Sequence, residues 1–261
     1  MDVTDTHSVP LPGGVSMPLL GLGTWRATGS DCYDAVRHAL SVGYRHIDTA
    51  TMYRNEADVG RAVADSGVPR DEVFLTTKLP PERAGRERDT LAASLAALGT
   101  DHVDLWLIHW PPSGRSGVRV WERFCEARAQ GLARAVGVSN YDTAGIDELV
   151  AATGQTPAVN QVRWSPSRHD PRLLAESRQR GIVVEGYSPF KSTDLRHPVL
   201  TGIAADHGRT AAQVVLRWHV QHGVVAIPKS VTPERIKSNL DVFDFELTDR
   251  ELARIDGISM R

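Results

Sequence analysis

The sequence predicts an α/β protein: a single (β/α)8 TIM barrel with an N-terminal β-hairpin, residues 1–261 forming one domain. Three observations carry that expectation. Strand-like runs rich in β-branched residues alternate with helical patterns along the chain, the runs number eight after the hairpin, and polar residues gather where the runs end.

After a polar start, LPGGVSMP reads as a hairpin around a Pro-Gly-Gly turn, and LLGLGTW as the first barrel strand, ending at Trp25. The other strands are read at RHIDTA, VFLTTK, VDLWLIHW, RAVGVSN, AVNQVRW, VVEGYSP and VVAIPKS. Between them lie helical spacings: Ala35, Val36, Ala39 and Leu40 closed by Gly43, then Leu91, Leu95 and Leu98 closed by Gly99. Asp170 is placed to N-cap a helix opened by Pro171 and carrying Leu173 and Leu174, and Thr210 with Gln213 makes a capping-box pattern before Val214, Val215 and Trp218. Strands separated by helices run parallel through right-handed crossovers. An open doubly wound sheet is the competing topology, but GLGTWR has Arg26 where the third glycine of a GxGxxG fingerprint belongs.

Composition narrows the class of partner. With 30 basic and 32 acidic residues and no long run of one sign, neither a nucleic-acid surface nor a polybasic membrane patch is expected, and a small molecule is. The first residues lack the charged start and apolar core of a secretory leader, and no run has the ~18 apolar residues of a membrane helix, so a cytoplasmic protein is expected. Cys32 and Cys125 show no metal-binding spacing and are expected to be free thiols.

In such a barrel the chemistry sits at the carboxyl ends of the strands. Reading those ends gives Asp48, Lys78, His109, Ser139 with Asn140, Gln161, Tyr187 with Ser188, and Lys229 with Ser230. Asp48 stands in a strand-like run, YRHIDTATMY, with Tyr44 and His46 expected on its face; a carboxylate there is costly without a charged partner. Lys78, one strand away, supplies that partner, and Tyr53 can fold back over both. Taken singly, a lysine ending a strand, a histidine before Trp-Pro-Pro or a tyrosine on a loop is usually structural. Their coincidence is not.

Taken together, HIDTATMYRNE, LTTKL and LIHWP resemble the aldo-keto reductase family, as does IPKSVTPERIKSN from Ile227 to Asn239; the likeness runs from GLGTW to the last helix and is nearest to short-loop bacterial diketo-gluconate reductases. The resemblance implies that Asp48, Tyr53, Lys78 and His109 form a catalytic tetrad and that NADP(H) is the cofactor, with NAD(H) weaker. It implies cofactor contacts from Gly23, Thr24, Ser139, Asn140, Gln161, Tyr187, Ser188, Lys229, Ser230, Val231, Arg235 and Asn239. Among these, Lys229, Ser230 and Arg235 would hold a 2′-phosphate and Asn239 the adenine, while Ser139, Asn140 and Gln161 would meet the carboxamide and Tyr187 stack on the nicotinamide. Physical chemistry agrees: a phenol near pKa ~10 is a reluctant proton donor, and Lys78 would lower that value while Asp48 holds the ammonium. Thr232 and Pro233 would open a helix whose end attracts anions, and Arg235 in its first turn makes sense opposite a phosphate. Ser238 departs from the family's usual glutamate, which leaves room for NAD(H).

The expected activity is therefore reduction of aldehydes or ketones to alcohols, with no metal and, by family likeness, as a monomer. Trp25 and Trp110 are expected to wall an apolar pocket. The short segments PPSGRSGVRV and FKSTDLRHPVL, and the brief stretch after Gly257, suggest an open site, and Arg54 reads either as a contact for an anionic substrate or as a surface charge. A nucleotide-binding subunit without turnover and a barrel isomerase or lyase are the rival readings; the intact tetrad weighs against the first and the Lys229–Asn239 segment against the second.

Overall fold

A computed structural model describes residues 7–112 and 116–258. The stretch read for a leader, the middle of the PPSGRSGVRV loop and the last three positions thus fall wholly or partly outside the described residues. The hairpin is β1 (Ser8–Leu11) and β2 (Val15–Pro18), paired antiparallel across the Pro-Gly-Gly turn. Eight strands follow: β3 (Leu22–Gly23), β4 (His46–Asp48), β5 (Phe74–Leu79), β6 (Val103–Ile108), β7 (Ala133–Ser139), β8 (Val159–Arg163), β9 (Val183–Tyr187) and β10 (Val225–Ile227). Each pairs in parallel with its neighbour in sequence order. The edges β3 and β10 meet through parallel bridges at Leu20–Ala226 and Gly23–Lys229, which close the sheet into a barrel.

Helices α1 (Gly29–Ser41), α2 (Glu56–Ala64), α3 (Glu87–Leu98), α4 (Ser116–Ala129), α5 (Thr143–Thr153) and α6 (Pro171–Gln179) follow β3 to β8 in turn. Then come α7 (Pro198–Asp206) and α8 (Ala211–Gln221) after β9, and α9 (Pro233–Leu240) and α10 (Asp249–Asp256) after β10. The expected stops and caps are present: Gly99 ends α3 in the left-handed conformation, the Asp170 carboxylate accepts from the amides of Arg172 and Leu173, and Thr210 with Gln213 forms a reciprocal capping box. No described helix is long and apolar enough to cross a membrane.

The outward faces of β3 to β7 and the inward faces of α1 to α5 make one apolar layer, where Ile47, Leu75, Trp106 and Val136 meet Val36, Leu91 and Phe124. Cys32 lies buried in this layer, and burial pushes its free thiol up to about 12. Inside the barrel the amino-terminal end is plugged by the hairpin: Leu11 and Met17 pack with Leu19, Phe74, Leu105, Leu107, Val159 and Val225. Above this plug the interior turns polar, and the site begins there.

Two expectations differ from the structure. The first barrel strand does not reach Trp25, because the carbonyls of Thr24 and Ala27 are taken by the buried Asn55 amide instead of by a neighbouring strand, so Trp25 rides on a loop. Tyr44 does not share the face of His46 and Asp48. The left-handed Gly43 (φ 112°) is still turning the chain, β4 starts at His46, and the Tyr44 hydroxyl donates to the Ile236 carbonyl in the helix layer.

Candidate active site

At the carboxyl end of β4 and β5, Asp48 and Lys78 face each other inside the barrel. Lys78 Nζ donates to Asp48 Oδ1 at 2.6 Å and to the Thr49 carbonyl at 2.9 Å, and Lys78 is fully buried. Burial alone would discharge the ammonium, but the adjoining carboxylate outweighs it, so Lys78 holds its proton more firmly than usual. Burial likewise pushes the Asp48 carboxyl up, with hydrogen bonds from Lys78 and Gln161 pulling it back.

Tyr53 ends a single 3-10 turn, Thr51–Tyr53, that folds back over this pair. The Thr51 hydroxyl fixes the turn by donating to the Lys78 carbonyl at 2.9 Å, and Arg54 leaves it in the left-handed conformation (φ 57°). The Tyr53 ring centroid lies 5.1 Å from Lys78 Nζ, 5.7 Å from the His109 ring and 4.7 Å from the Trp25 ring. Asn55 locks this geometry. Its amide donates to Thr24 and Ala27, and its oxygen accepts from the Thr49 hydroxyl at 2.7 Å, tying the Trp25 loop to the Tyr53 loop.

The expected lowering of the Tyr53 pKa is outweighed. Burial pushes the phenol up, Lys78 pulls it down by charge and hydrogen bond, and Asp48 and Glu185 push it up again. His109 is kept neutral: burial, then the Lys78 charge, take its imidazole down to about 3. Its buried Nδ1 has no hydrogen-bond partner among the described residues.

The residues expected to meet a carboxamide converge on the ends of β7, β8 and β9, already bonded to one another. Ser139 Oγ donates to the Gln161 carbonyl, Asn140 Nδ2 donates to Ser139 Oγ and to the His109 carbonyl, and the Tyr187 hydroxyl donates to Asn140 Oδ1 at 2.9 Å. Asn140 and Ser188 both adopt left-handed backbone (φ 61° and 56°) at these strand ends. Gln161 Nε2 donates to Asp48 Oδ2 at 2.8 Å and to Glu185 Oε2 at 2.7 Å, so both hydrogens of its amide are committed and its carbonyl oxygen remains as an acceptor.

Across the barrel mouth, Gly23 and Thr24 end β3 beside Lys229, Ser230 and Val231, which follow β10. A Cβ on Gly23 would sit 2.8 Å from the Ile227 carbonyl, so only glycine allows the two edges to approach this closely. The Lys229 and Arg235 side chains are exposed and have no hydrogen-bond or ion-pair partner among the described residues, while Ser230 and Asn239 are buried. Pro233 opens α9 as expected, but the Thr232 side chain does not cap it; Ser230 Oγ instead accepts from the Thr232 amide at 3.1 Å. Trp25 and Trp110, each 46% exposed, flank the opening, with Met52 and Val231 also exposed there.

A cleft of about 650 Å³ lies at the opposite end between hairpin and barrel. Its arginines are answered by carboxylates, Arg45 by Glu72 and Arg134 by Asp104. Sequence reading overlooked one interior residue, Glu185, and named its neighbour His46 only for the face it shares with Asp48. The signal was available for Glu185, since VVEGYSP, like RHIDTA, sets a carboxylate in an apolar strand.

Comparison with known proteins agrees with this site. Residues 19–260 match the model of the aldo/keto reductase family. The chain is 46% identical over 267 residues to morphine 6-dehydrogenase of Pseudomonas putida, covering 96% of this chain and 90% of that protein. The crystal structure of an aldo/keto reductase from Brucella melitensis superposes with a TM-score of 0.92 at 40% identity, covering 95% of this chain and 98% of that one. An aldo-keto reductase of Bombyx mori, solved in complex with NADP, superposes with a TM-score of 0.91 at 34% identity, covering 95% and 91%. The chain belongs to the aldo/keto reductase family.

Proposed function

We propose that the protein reduces aldehydes or ketones to alcohols with NADPH, Tyr53 delivering the proton. The carrying observation is the buried Asp48–Lys78 ion pair directly under the Tyr53 ring, beside a neutral His109. Hydride from the nicotinamide is the chemistry the cofactor supplies. What remains for the chain is to hold the carbonyl and meet the negative charge that grows on its oxygen. Tyr53 and the neutral imidazole of His109 are the donors suited to that oxygen, Lys78 stabilises the phenolate left behind, and Asp48 keeps Lys78 charged and in place.

The cofactor reading rests on fit. Lys229 and Arg235 are exposed cations without partners among the described residues beside the amino end of α9, a setting suited to a 2′-phosphate. Ser230 and Asn239 complete that end. The uncommitted Gln161 oxygen, with Ser139, can accept from a carboxamide NH2, and Asn140 can meet its carbonyl by releasing its bond to Ser139. Tyr187 and Ser188 flank the ring, and Gly23, Thr24 and Val231 line the backbone path between the two ends.

Two relatives bear names that specify alcohols of very different size, morphine and, at 41% identity, glycerol, so likeness at this level leaves the substrate open. Exposed Trp25 and Trp110 support an open apolar mouth with little to discriminate among carbonyl compounds. The deciding test is Tyr53→Phe. NADPH should bind as in the wild type by fluorescence quenching while turnover of an aldehyde panel drops about 10²–10⁴-fold; near wild-type rates would overturn the assignment.

A further inference from the structure

Glu185 lies one layer deeper than the tetrad, in the middle of β9, and its side chain is completely buried. Its Oε2 accepts from Gln161 Nε2 at 2.7 Å, the same nitrogen donates to Asp48 Oδ2 at 2.8 Å, and Asp48 Oδ1 receives Lys78 at 2.6 Å. The other oxygen, Oε1, is 3.5 Å from His46 Nε2 and has no hydrogen-bond partner among the described residues. One amide nitrogen therefore bridges two carboxyl groups inside the barrel. The polar and charged groups around Glu185 come from every side: His46 and Asp48 from β4, Thr76 beside His46 and Lys78 from β5, and Gln161 from β8.

A charge count decides the state of this cluster. Lys78 is its one cation and is matched by Asp48. His46 cannot serve as a second, because burial and then the Lys78 charge take it down to about 3. A second ionised carboxylate would stand unbalanced in a dry interior, a costly state. Burial first and the Asp48 charge second accordingly push Glu185 up to about 8, so it carries its proton at neutral pH and releases it in mildly alkaline solution. When it does, a net negative charge appears at the far end of the Glu185–Gln161–Asp48–Lys78 chain and disfavours phenolate at Tyr53.

We propose that Glu185 is a positioning residue for carbonyl reduction: through Gln161 it holds the Asp48 carboxylate against Lys78, and the gain or loss of its own proton sets how readily Tyr53 gives up and recovers its proton. The proposal rests on Tyr53 being the proton donor. Alcohol oxidation, the reverse reaction, needs Tyr53 as a base, and is therefore the direction that ionised Glu185 holds back.

Two measurements test this on the intact protein. Infrared difference spectra of wild type minus Glu185→Gln should show a protonated carboxyl band at pH 6 that disappears with a midpoint near 8. Absence of that band overturns the proposal, and the spectrum needs no turnover, so it stands whether or not the reductase reading holds. The pH profile of kcat for NADP+-dependent alcohol oxidation is the second. Glu185→Gln should shift its alkaline rise toward lower pH by about one unit, a tenfold change in phenolate population at fixed pH, with KM for NADP+ unchanged. Identical profiles in the two proteins overturn the proposal. Glu185→Met, which cannot bond Gln161 at all, should lower kcat with little change in NADP+ affinity, and an equal loss in both would reduce Glu185 to packing.

Discussion

Beneath Tyr53, the two full charges are paired at 2.6 Å and sealed from solvent, and the amides around them are committed to named acceptors. After β9 the chain leaves for α7, and only after β10 does it present the rim, where Lys229 and Arg235 stand exposed and without partners among the described residues. The same sign of charge is thus handled in two ways. Lys78 is rigid because a buried ammonium survives only with a fixed counter-ion, whereas the rim cations keep their hydration and cost nothing until an anion arrives. On the proposed function, the interior would hold geometry for the reaction and the rim charge for recognition.

The largest effect should come from breaking the interior pair. Lys78→Met strands a buried carboxylate and should remove about 3–5 kcal/mol of stability, read as a lower urea midpoint, along with turnover. The double variant with Asp48→Asn should regain part of that stability but no activity. An exposed cation behaves differently: Arg235→Ala should leave stability unchanged and weaken NADPH binding about tenfold, with NADH binding little altered. Equal losses for both cofactors would erase the distinction between the regions.

The smallest expected signal is an absence. An ordinary histidine would give an inflection near pH 6.5, but His109 is held down to about 3 and stays neutral from pH 5 to 7. On its account kcat/KM for reduction should be flat across that range, and a histidine-like step would show that the imidazole is better hydrated than its packing against Tyr53 implies. Stability carries the opposite mark for Glu185: its folded value lies above an unfolded carboxyl, so the folded state keeps a proton that the unfolded state releases. The contribution is whole at acid pH and is lost as pH rises from the ordinary carboxylate range through about 8.

Much of this was legible in the chain because periodicity and strand ends report backbone geometry directly. Asp48 ends β4, Lys78 sits beside the end of β5 and His109 directly follows β6, and parallel neighbours at fixed spacing bring such ends together. Caps at Asp170 and Thr210 were equally readable, since capping is local. What sequence left hidden depends on depth and on competition for hydrogen bonds. That Gln161 spends both hydrogens on carboxyl groups, or that Asn140 is bonded to Ser139 and Tyr187, follows from side chains brought together from β4, β7, β8 and β9. The net upward push on Tyr53 is of the same kind: Lys78 could be named from its position, but the burial opposing it could not.

The seam where β3 meets β10 has a consequence for how the barrel breathes. β6 and β7 pair over a long ladder, whereas β3 pairs with β4 through Leu22 and Gly23 alone, and at the seam the join consists of bonds from Gly21 and Gly23 to the carbonyls of Ala226 and Pro228, and from Ala226 to Leu19. Local opening favours joins with few bonds to lose. The two lips of the seam carry Gly23 and Thr24 on one side and Lys229, Ser230 and Val231 on the other. A ligand gripping both lips would act as a clasp on the closed barrel, and its affinity would be felt as resistance to unfolding that grows with the logarithm of its concentration.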